Sequence, residues 1–346
     1  MNSPERLTLA QLIATPGGNW GGMEKHTADL ADELARRGHK VHVLAHPDYR
    51  HRFSHEITFH PLPVQWGRRN PLLKQRLKRM LRKLSPDVIH AQGSKAAALI
   101  SGLGTQGSVT VGTVHGTKSS HKDFNKLEGV IAVSKGIREA LSHPDSILIH
   151  NGVKSQNEVG RTTHPVPGNQ AFAVAIGRLE PVKQFGNLIS VWATVNPALP
   201  LYILGEGSEA EKLRVQVQHL GAESFIKLPG YEENPAAWLQ KASVCVISSE
   251  REGFPYTLVE ALLMRCPVLS TPVNGALEML PAESLATATD LSALHTLLSA
   301  QLADPESLKK SQEACFEHTS RELTLEAMTS RTEAFYFKLL SANSRA

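Results

Sequence analysis

Two carboxylates, Glu252 and Glu260, flank a glycine- and proline-containing turn in the second half of the chain. The turn follows an apolar strand pattern and opens a helix pattern, and its residues are Gly253, Phe254, Pro255, Tyr256, Thr257 and Leu258. Glycine permits close backbone approach, and amides at a helix N-terminus favour an anion such as phosphate. Because carboxylates accept hydrogen bonds from vicinal hydroxyls, the segment predicts a site for a phosphate flanked by sugar hydroxyls. The alternative is two solvated glutamates in the N-terminal half of a helix.

Two cations, Arg178 and Lys183, follow another apolar strand pattern, directly after Gly177. Such side chains hold phosphate oxygens through charge-assisted hydrogen bonds. A pyrophosphate between them and the helix that begins near Thr257 would be neutralised without a metal ion. The sequence has no Asp-x-Asp pair to hold a divalent cation. Alone, the two cations are more typical of a protein surface, but together with the Glu252 segment they favour a diphosphate site.

Two weaker signals follow the next strand patterns of the same half. Gly205 and Gly207 are compatible with a ligand-binding loop or with a tight strand-to-helix turn. Tyr231 is compatible with a position beside a nucleotide base or with an ordinary loop residue. Both alternatives stay open at the level of sequence.

The elements that position these residues alternate between short apolar strands and helix patterns. Apolar runs of four to six residues separated by helix patterns indicate parallel strands buried on both faces. Residues 1–153 form one such series and 171–320 a second, joined by a polar, proline-containing linker at 154–170. The pattern predicts an α/β protein with two Rossmann-like, doubly wound domains that face each other across a cleft. A last helix pattern at 323–340 is compatible with packing on either domain.

In their order and spacing, the motifs of the second half resemble family 4 of the retaining glycosyltransferases, whose fold is GT-B. The family's Glu-x7-Glu motif matches Glu252 and Glu260, with Gly-Phe-Pro after the first glutamate. The resemblance implies that Glu252 contacts the transferred sugar and that Glu260 contacts the ribose. It also implies that Arg178 and Lys183 hold the diphosphate.

The first half is similar to the family in a looser way. Gly21 and Gly22 match the glycine loop before the family's first helix, where backbone amides approach the phosphate and the sugar. His115 matches the family's histidine at the sugar, although read alone it is more typical of a structural histidine. Gln92 stands where the family often has a second histidine, which leaves the acceptor contacts there open. Further matches to the family pattern are Ser134, Asn151, Gly152 and Val153.

The resemblance also implies a reaction, in which a hexose moves from a nucleotide diphosphate sugar with retention and without a metal or other cofactor. UDP-hexose is the leading donor on family frequency, and the catalytic roles fall to Glu252, His115, Lys183 and Arg178. A double displacement would need a carboxylate on the far face of the sugar, and no carboxylate can be assigned there from the sequence. Front-face attack, with the leaving phosphate helping to deprotonate the acceptor, is the family expectation.

Charge is distributed unevenly along the chain. Residues 1–153 contain 21 Lys and Arg against 12 Asp and Glu, whereas 154–346 contain 16 against 21. The most basic segment, Arg68–Lys83, has a helix pattern with leucines on one face and cations around them. Such a helix either lies on an anionic membrane with its leucines inserted or packs its leucines on the sheet with its charges solvated. We expect peripheral membrane association and no nucleic-acid binding, since aromatic residues are only 5% of the chain.

The resemblance implies a cell-envelope glycan or a lipid-linked acceptor, with lipopolysaccharide core as the favoured case. We expect a cytoplasmic protein, peripheral on the inner membrane, because no apolar run reaches transmembrane length and Met1–Glu5 lacks a signal-peptide pattern. The three cysteines are far apart in sequence and predict buried, reduced thiols rather than a metal site; they are Cys245, Cys266 and Cys315.

Two other functions fit the same architecture. A nucleotide-sugar epimerase of the GT-B type would need the donor alone and would release a new nucleotide sugar. A non-catalytic nucleotide-sugar-binding protein would keep the fold, but it would have little reason to keep both carboxylates and both cations. The pair Glu252 and Glu260 favours the transferase.

Overall fold

The computed structural model describes residues 6–18, 20–104, 107–116, 121–154, 162–168, 170–195 and 199–344. The chain divides into two compact units. The first unit comprises residues 1–152 and 325–346, and the second comprises residues 153–324. Much of the segment expected to be a linker, 154–170, lies outside the described residues.

The strands form two sheets, and every strand pair in them is parallel. The first sheet contains β1 (Thr8–Ile13), β2 (Lys40–Ala45), β3 (Thr58–Pro61), β4 (Val88–Gln92), β5 (Val109–Val114), β6 (Gly129–Ala132) and β7 (Ser146–Leu148). The second contains β8 (Ala173–Ile176), β9 (Leu201–Leu204), β10 (Ile226–Gly230), β11 (Val244–Ile247) and β12 (Val268–Ser270). The strand orders are β3-β2-β1-β4-β5-β6-β7 and β10-β9-β8-β11-β12. Both are doubly wound orders of the Rossmann type, as predicted.

Helices connect the strands of both units. Those in the first part of the chain are α1 (Gly22–Arg36), α2 (Pro71–Leu84), α3 (Gly93–Ile100) and α4 (Lys135–Glu139). Those that follow are α5 (Phe185–Val195), α6 (Ala210–His219), α7 (Pro235–Leu239), α8 (Tyr256–Leu263), α9 (Ala276–Met279), α10 (Leu291–Gln301), α11 (Pro305–Ser311), α12 (Glu313–Glu322) and α13 (Leu325–Asn343). Within the described residues, no helix is long and apolar enough to cross a bilayer.

Helix α2 shows how local sequence sets the element bounds. The side chain of Asn70 accepts hydrogen bonds from the amides of Leu72 and Leu73 at 2.9 and 3.1 Å, which caps the first turn. Pro71 takes the first helical position, where its missing N–H leaves no hydrogen bond unmade. The helix ends at Ser85, whose φ of 43° is left-handed.

The last helix, α13, belongs to the first unit although the chain reaches it only after the second unit is complete. Its Phe335 and Leu339 are buried in the core of the first unit. They contact β6 so closely that a Cβ on Gly129 would lie 2.5 Å from a Leu339 methyl carbon. Its Glu333 pairs with Arg37 at 2.9 Å, next to the C-terminal end of α1.

The two segments that carry the chain between the units are hydrogen-bonded to each other. The amide of Val153 donates to the carbonyl of Leu323 at 3.1 Å. Val153 also forms a parallel bridge with Thr324. The exit from the first unit and the return to it therefore lie side by side.

Each sheet reverses its winding at one place, between β1 and β4 in the first unit and between β8 and β11 in the second. In doubly wound folds, ligands bind outside the carboxyl ends of the strands at such a switch point. The loops after β8 and β11 contain Gly177–Lys183 and the Glu252 segment. The fold therefore brings the two most specific sequence motifs to the switch point of the second unit.

Candidate active site

The centre of the candidate site in the second unit is an ion pair between Lys183 and Glu252. The Lys183 ammonium Nζ lies 2.5 Å from Glu252 Oε1, and both side chains are about four-fifths buried, with 19% and 18% exposed. Ser249 donates a hydrogen bond to the same carboxylate oxygen at 2.8 Å. The sequence assigned the cation and the carboxylate to different parts of one ligand, and the structure places them in direct contact.

Hydrogen bonds to backbone carbonyls join the two loops that carry this ion pair. Ser248 Oγ donates to the carbonyl of Lys183 at 2.8 Å, and the amide of Glu250 donates to the carbonyl of Val182 at 2.8 Å. Thr257, in the first turn of α8, donates through its hydroxyl to the carbonyl of Ile176 at 3.2 Å. The separation between the cation and the carboxylate is thus set by backbone contacts as well as by their own attraction.

Gly205 and Gly207 pack against the backbone of the loop after β8. A Cβ on Gly205 would lie 1.9 Å from the carbonyl oxygen of Gly177, and one on Gly207 would lie 2.4 Å from that of Leu179. The φ of Gly205 is also positive, at 146°. Both glycines are therefore required for a close approach of two backbones, which gives the tight-turn interpretation a physical basis.

Helix α8 begins at a closely packed turn. Its first turn contains no acidic residue, and Tyr256 and Thr257 are partly exposed. Phe254 and Pro255 are buried beside Gly275, where a Cβ would lie 2.9 Å from the Phe254 ring. Gly253 and Leu258 are also buried. The turn is therefore held in place by packing, and the first turn of α8 contains no acidic side chain.

Glu260 lies one turn into α8 and is partly buried. Burial raises the pKa of the neighbouring Cys245 thiol, and the charges of Cys266 and Glu260 add to that effect.

Arg178 and Tyr231 differ from the other candidates, since both side chains are exposed. Among the described residues, Arg178 makes no ion pair, so its guanidinium is available to a ligand.

A second group of polar side chains lies in the first unit, around His115. His115 follows β5, and its Nε2 lies 2.7 Å from Oε1 of Gln92 at the end of β4. The ring of His26, on α1, stands edge-on to the His115 ring with centroids 4.7 Å apart. His26 in turn contacts Asn151, with 3.1 Å between Nδ1 and Oδ1. The structure thus brings together three positions that the sequence singled out, namely Gln92, His115 and Asn151.

Two histidines of this group, His26 and His90, were missed by sequence reasoning. Burial lowers the pKa of His26 to about 4, and the hydrogen bond to Asn151 offsets only part of the effect. Burial also lowers the pKa of His90 to about 3, with a further contribution from His26. The pKa of His115 is well below its usual value, mainly because the ring is buried and to a smaller extent because of the charges that His26 and His90 can carry. All three imidazoles are therefore neutral at pH 7.

The start of α1 differs from the start of α8. The carboxylate of Glu24 accepts a hydrogen bond from the amide of Gly21 at 3.0 Å and another from the hydroxyl of Thr15 at 2.6 Å. The Gly21 amide, which the sequence assigned to a donor ligand, therefore already has a carboxylate partner. Ser134, another match to the family pattern, caps α4 by accepting from the amide of Ile137 at 3.3 Å.

Side chains that could hold a metal ion lie apart from one another in the described residues. In the described part of the chain, no three His, Cys, Asp or Glu side chains are placed so that they could share one ion. The cysteines are free thiols; Cys245 and Cys266 are buried, and burial raises the pKa of Cys266 to about 12. Cys315 is partly exposed, contrary to the expectation that all three are buried.

Known protein families match almost the whole chain. Residues 20–157 match Glycosyltransferase Family 4, and residues 157–317 match Glycosyl transferases group 1. The two matches meet close to the boundary between the structural units. The chain belongs to the family 4 glycosyltransferases.

Individual relatives of this glycosyltransferase are distant. A lipopolysaccharide core biosynthesis glycosyltransferase from Rhizobium meliloti is 24% identical over 75% of this chain and 78% of that protein. An N-acetylgalactosaminyltransferase from Campylobacter jejuni, named for a diphospho-undecaprenol substrate, is 28% identical, but only 45% of each chain aligns. The structure of Anabaena HepE in complex with UDP-glucose has a TM-score of 0.77 at 18% identity, covering 97% of this chain and all of that one. This likeness confirms the α/β two-domain GT-B fold of the glycosyltransferase.

The neutral histidines of the first unit predict a loss of stability in acid. Unfolded histidines have a pKa near 6.5, whereas folded His26 and His90 have values of about 4 and 3. Between these values the unfolded glycosyltransferase binds more protons, so the free energy of unfolding falls as the pH drops from about 6.5 towards 3, by up to about 1.4 kcal/mol per pH unit for each histidine.

Urea unfolding at pH 7.5 and pH 5, followed by circular dichroism, measures this dependence. A His90→Asn variant should be less stable at pH 7.5 but should lose less stability between the two pH values than the wild type. An equal or larger loss in the variant would show that His90 does not contribute to the acid sensitivity.

Proposed function

We propose that this glycosyltransferase moves a hexose from UDP-hexose to a cell-envelope acceptor, with retention of anomeric configuration and without a metal ion. The observation that carries the proposal is the Lys183–Glu252 pair at the switch point of the second sheet, held next to the N-terminus of α8. A cation, a carboxylate and a helix N-terminus are groups suited to a sugar diphosphate.

Each group in the second unit takes one part of the donor. Lys183 and the exposed Arg178 bind the diphosphate together with the first amides of α8. Glu252 accepts hydrogen bonds from hydroxyls of the transferred sugar, and Glu260 accepts from the ribose. We assign one face of the base to Tyr231, which is 42% exposed. Gly205 and Gly207 hold the loop after β8 in the required position.

The diphosphate binds at α8 rather than at α1. The Gly21 amide already donates to Glu24, and a carboxylate at that helix start repels an anion. At α8, the first turn has no acidic side chain, and Lys183 lies on the adjoining loop. We therefore assign Gly21 and Gly22 to shaping the start of α1, with any ligand contact there depending on movement of Glu24.

The catalytic roles follow from the charge that develops on the leaving group during transfer. As the bond between the sugar and the diphosphate breaks, negative charge accumulates on the leaving phosphate. Lys183, Arg178 and the α8 amides stabilise that charge, which is the role a divalent metal has in other transferases. The acceptor hydroxyl attacks the anomeric carbon from the face that the diphosphate leaves, and the departing phosphate takes the hydroxyl proton. The anomeric configuration is therefore retained. His115 accepts a hydrogen bond from a substrate hydroxyl.

The proposed acceptor is lipopolysaccharide core or a related lipid-linked glycan. The name of the Rhizobium relative supports the first, and that of the Campylobacter relative supports a lipid diphosphate carrier. Anabaena HepE, whose complex contains UDP-glucose, supports UDP as the nucleotide. An epimerase or a non-catalytic binding protein is the alternative, and release of a sugar-extended acceptor together with UDP separates the transferase from both.

Peripheral membrane binding through α2 is part of the proposal. Leu73, Leu77 and Leu81 are buried in the protein, so these leucines are not available to a bilayer. The face that remains is basic and exposed, and beside it Trp66 and Leu72 are 47% and 63% exposed. The exposed cations of this face are Arg68, Arg69, Arg76, Arg79, Arg82 and Lys83. Cations attract anionic head groups, and Trp66 and Leu72 are suited to the interface.

Loss of the Lys183 charge should affect the chemical step more than donor binding. In a Lys183→Ala variant, we expect kcat for transfer from UDP-glucose to truncated lipopolysaccharide to fall by roughly 100- to 1,000-fold, because leaving-group charge is no longer neutralised. The donor KM should change far less. Steady-state kinetics with EDTA present measure both constants.

Lys212→Ala is the matched control for this experiment, since Lys212 is exposed on α6 and pairs with Glu209 in its own helix turn. It should retain wild-type kinetics. A Lys183→Ala variant with an altered KM and an unchanged kcat would contradict the assigned role.

Membrane binding should depend on the basic face of α2. Sedimentation with vesicles containing about a third phosphatidylglycerol, at low salt, should recover the wild type but not a variant with four cations changed to Gln (Arg76, Arg79, Arg82 and Lys83). Binding should weaken with added salt, because exposed charges are screened.

A control with four exposed cations of the second unit changed to Gln (Lys212, Arg214, Lys227 and Lys241) has the same loss of net charge. It should still bind the vesicles. Equal loss of binding in both variants would show that net charge, rather than this face, attracts the membrane.

A further inference from the structure

A continuous chain of hydrogen bonds leads from His115 into the core of the first unit. His115 Nε2 contacts Gln92 Oε1 at 2.7 Å, and Gln92 Nε2 donates to Gln11 Oε1 at 2.9 Å. Gln11 Nε2 then donates to the hydroxyl of Tyr336 at 3.4 Å. Tyr336 lies on α13, so the last helix of the chain is linked through three side chains to the end of β5.

The chain ends on His90 in the centre of the sheet. The Tyr336 hydroxyl lies 2.5 Å from His90 Nδ1, and His90 Nε2 lies 2.7 Å from the hydroxyl of Thr113. Gln11, Gln92, Tyr336, His90 and Thr113 are each 1% exposed or less. Polar groups buried this completely are costly unless every one has a partner, so the network is strongly constrained.

The direction of the hydrogen bonds follows from the Gln11 amide, whose nitrogen donates to the Tyr336 hydroxyl oxygen. Burial raises the pKa of Tyr336 well above its usual value, so the phenol keeps its proton, and that proton is directed to His90 Nδ1 over the short contact. Its oxygen then accepts from the amide of Gln11, whose carbonyl accepts from the amide of Gln92. The carbonyl of Gln92 is left facing His115 as an acceptor. His115 must therefore donate through Nε2, which places its proton on that nitrogen.

We propose that Gln92 is a positioning residue, which holds His115 as the neutral Nε2–H tautomer so that Nδ1 accepts a hydrogen bond from a substrate hydroxyl. The inference rests on the proposed function for the identity of that substrate. A glutamine suits the task because its amide oxygen accepts a hydrogen bond without carrying a charge. A carboxylate at this position would favour the imidazolium, which has no acceptor nitrogen.

The groups around His115 keep its environment neutral. His26 from α1 and His90 from β4 both have lowered pKa values and are uncharged at pH 7. The charged residues Lys25 and Asp29 act on His26 with opposite signs and pair with each other at 2.7 Å. Among the described neighbours, Gln92 is hydrogen-bonded to the His115 ring, so a charge introduced at position 92 acts on that ring directly.

The tautomer can be observed without any substrate. Long-range proton–nitrogen NMR on the intact protein labelled with 15N-histidine distinguishes the two nitrogens of each ring, and a His115→Asn variant assigns the signals. We expect the Nε2–H form for His115 at pH 7. A proton on Nδ1 would overturn the proposal.

A Gln92→Glu variant tests the effect on catalysis. The carboxylate beside the ring should raise the pKa of His115, so the acid limb of kcat/KM should move up by about 1–3 pH units, and NMR should give the same shift for His115. At pH values above this limb, the introduced carboxylate still accepts from Nε2, and kcat/KM should return towards the wild-type value.

Gln312→Glu is the matched control, because Gln312 is fully buried in the second unit and bonds to Val268. It should lower stability without moving the acid limb. An unshifted limb in Gln92→Glu, in an enzyme that transfers sugar normally, would overturn the inference. If the wild type transfers no sugar from UDP-glucose, the proposed function fails, while the NMR result still decides the tautomer.

Discussion

The contact between the loops after β8 and β11 is the constraint on which the account of the donor site depends. Lys183 and Glu252 are 69 positions apart in sequence, and they meet only because β8 and β11 are neighbours in the second sheet. The two loops are then joined by hydrogen bonds to backbone carbonyls, and Gly205 and Gly207 pack against the loop after β8 from the loop after β9. A ligand that breaks the ion pair between Lys183 and Glu252 must bring its own anionic group to Lys183. Neither charge is stable without a partner where both side chains are about four-fifths buried.

The loops that open α1 and α8 both contain glycine but differ in electrostatics. At α1, Glu24 saturates the Gly21 amide and brings a negative charge to the helix start. At α8, the first turn contains no acidic side chain, and Lys183 lies on the adjoining loop. The start of α8 therefore favours an anion, whereas the start of α1 disfavours one. A single carboxylate three positions into a helix decides between the two.

Most of the fold was predictable because its strands are buried on both faces. The sequence patterns predict strands at 40–45 and 109–114 and a helix at 185–195, and β2, β5 and α5 have these bounds to the residue. Strand β3 was missed, because it is a short edge strand with alternating polar residues and a proline. The helices after β12 were also missed, apart from α13, whose unit could not be assigned from its own sequence. Its place depends on contacts with residues far away in the chain, such as Glu333 with Arg37.

The candidate site was predictable where the chemistry is local and was missed where it is assembled by the fold. Glu252, Glu260 and Lys183 stand out because each lies directly after a strand or in a helix start. His26 and His90 give no such signal, since one is a histidine within a helix and the other lies inside a strand. Their roles arise from burial and from partners on other elements, above all Tyr336 of the last helix. No spacing rule in the sequence connects these residues.

The most direct measurement of the central claim is calorimetric titration of UDP-glucose, GDP-mannose and ADP-glucose into the wild type and Glu260→Ala, with EDTA throughout. We expect the UDP-sugar to bind the wild type in EDTA, and we expect the dissociation constant to rise by roughly 10- to 100-fold in the variant, because a carboxylate that bonds the ribose is lost. Glu223→Ala, which changes an exposed glutamate before β10, should bind as the wild type does. Binding that EDTA abolishes, or binding that Glu260→Ala leaves intact, would contradict the donor site described here.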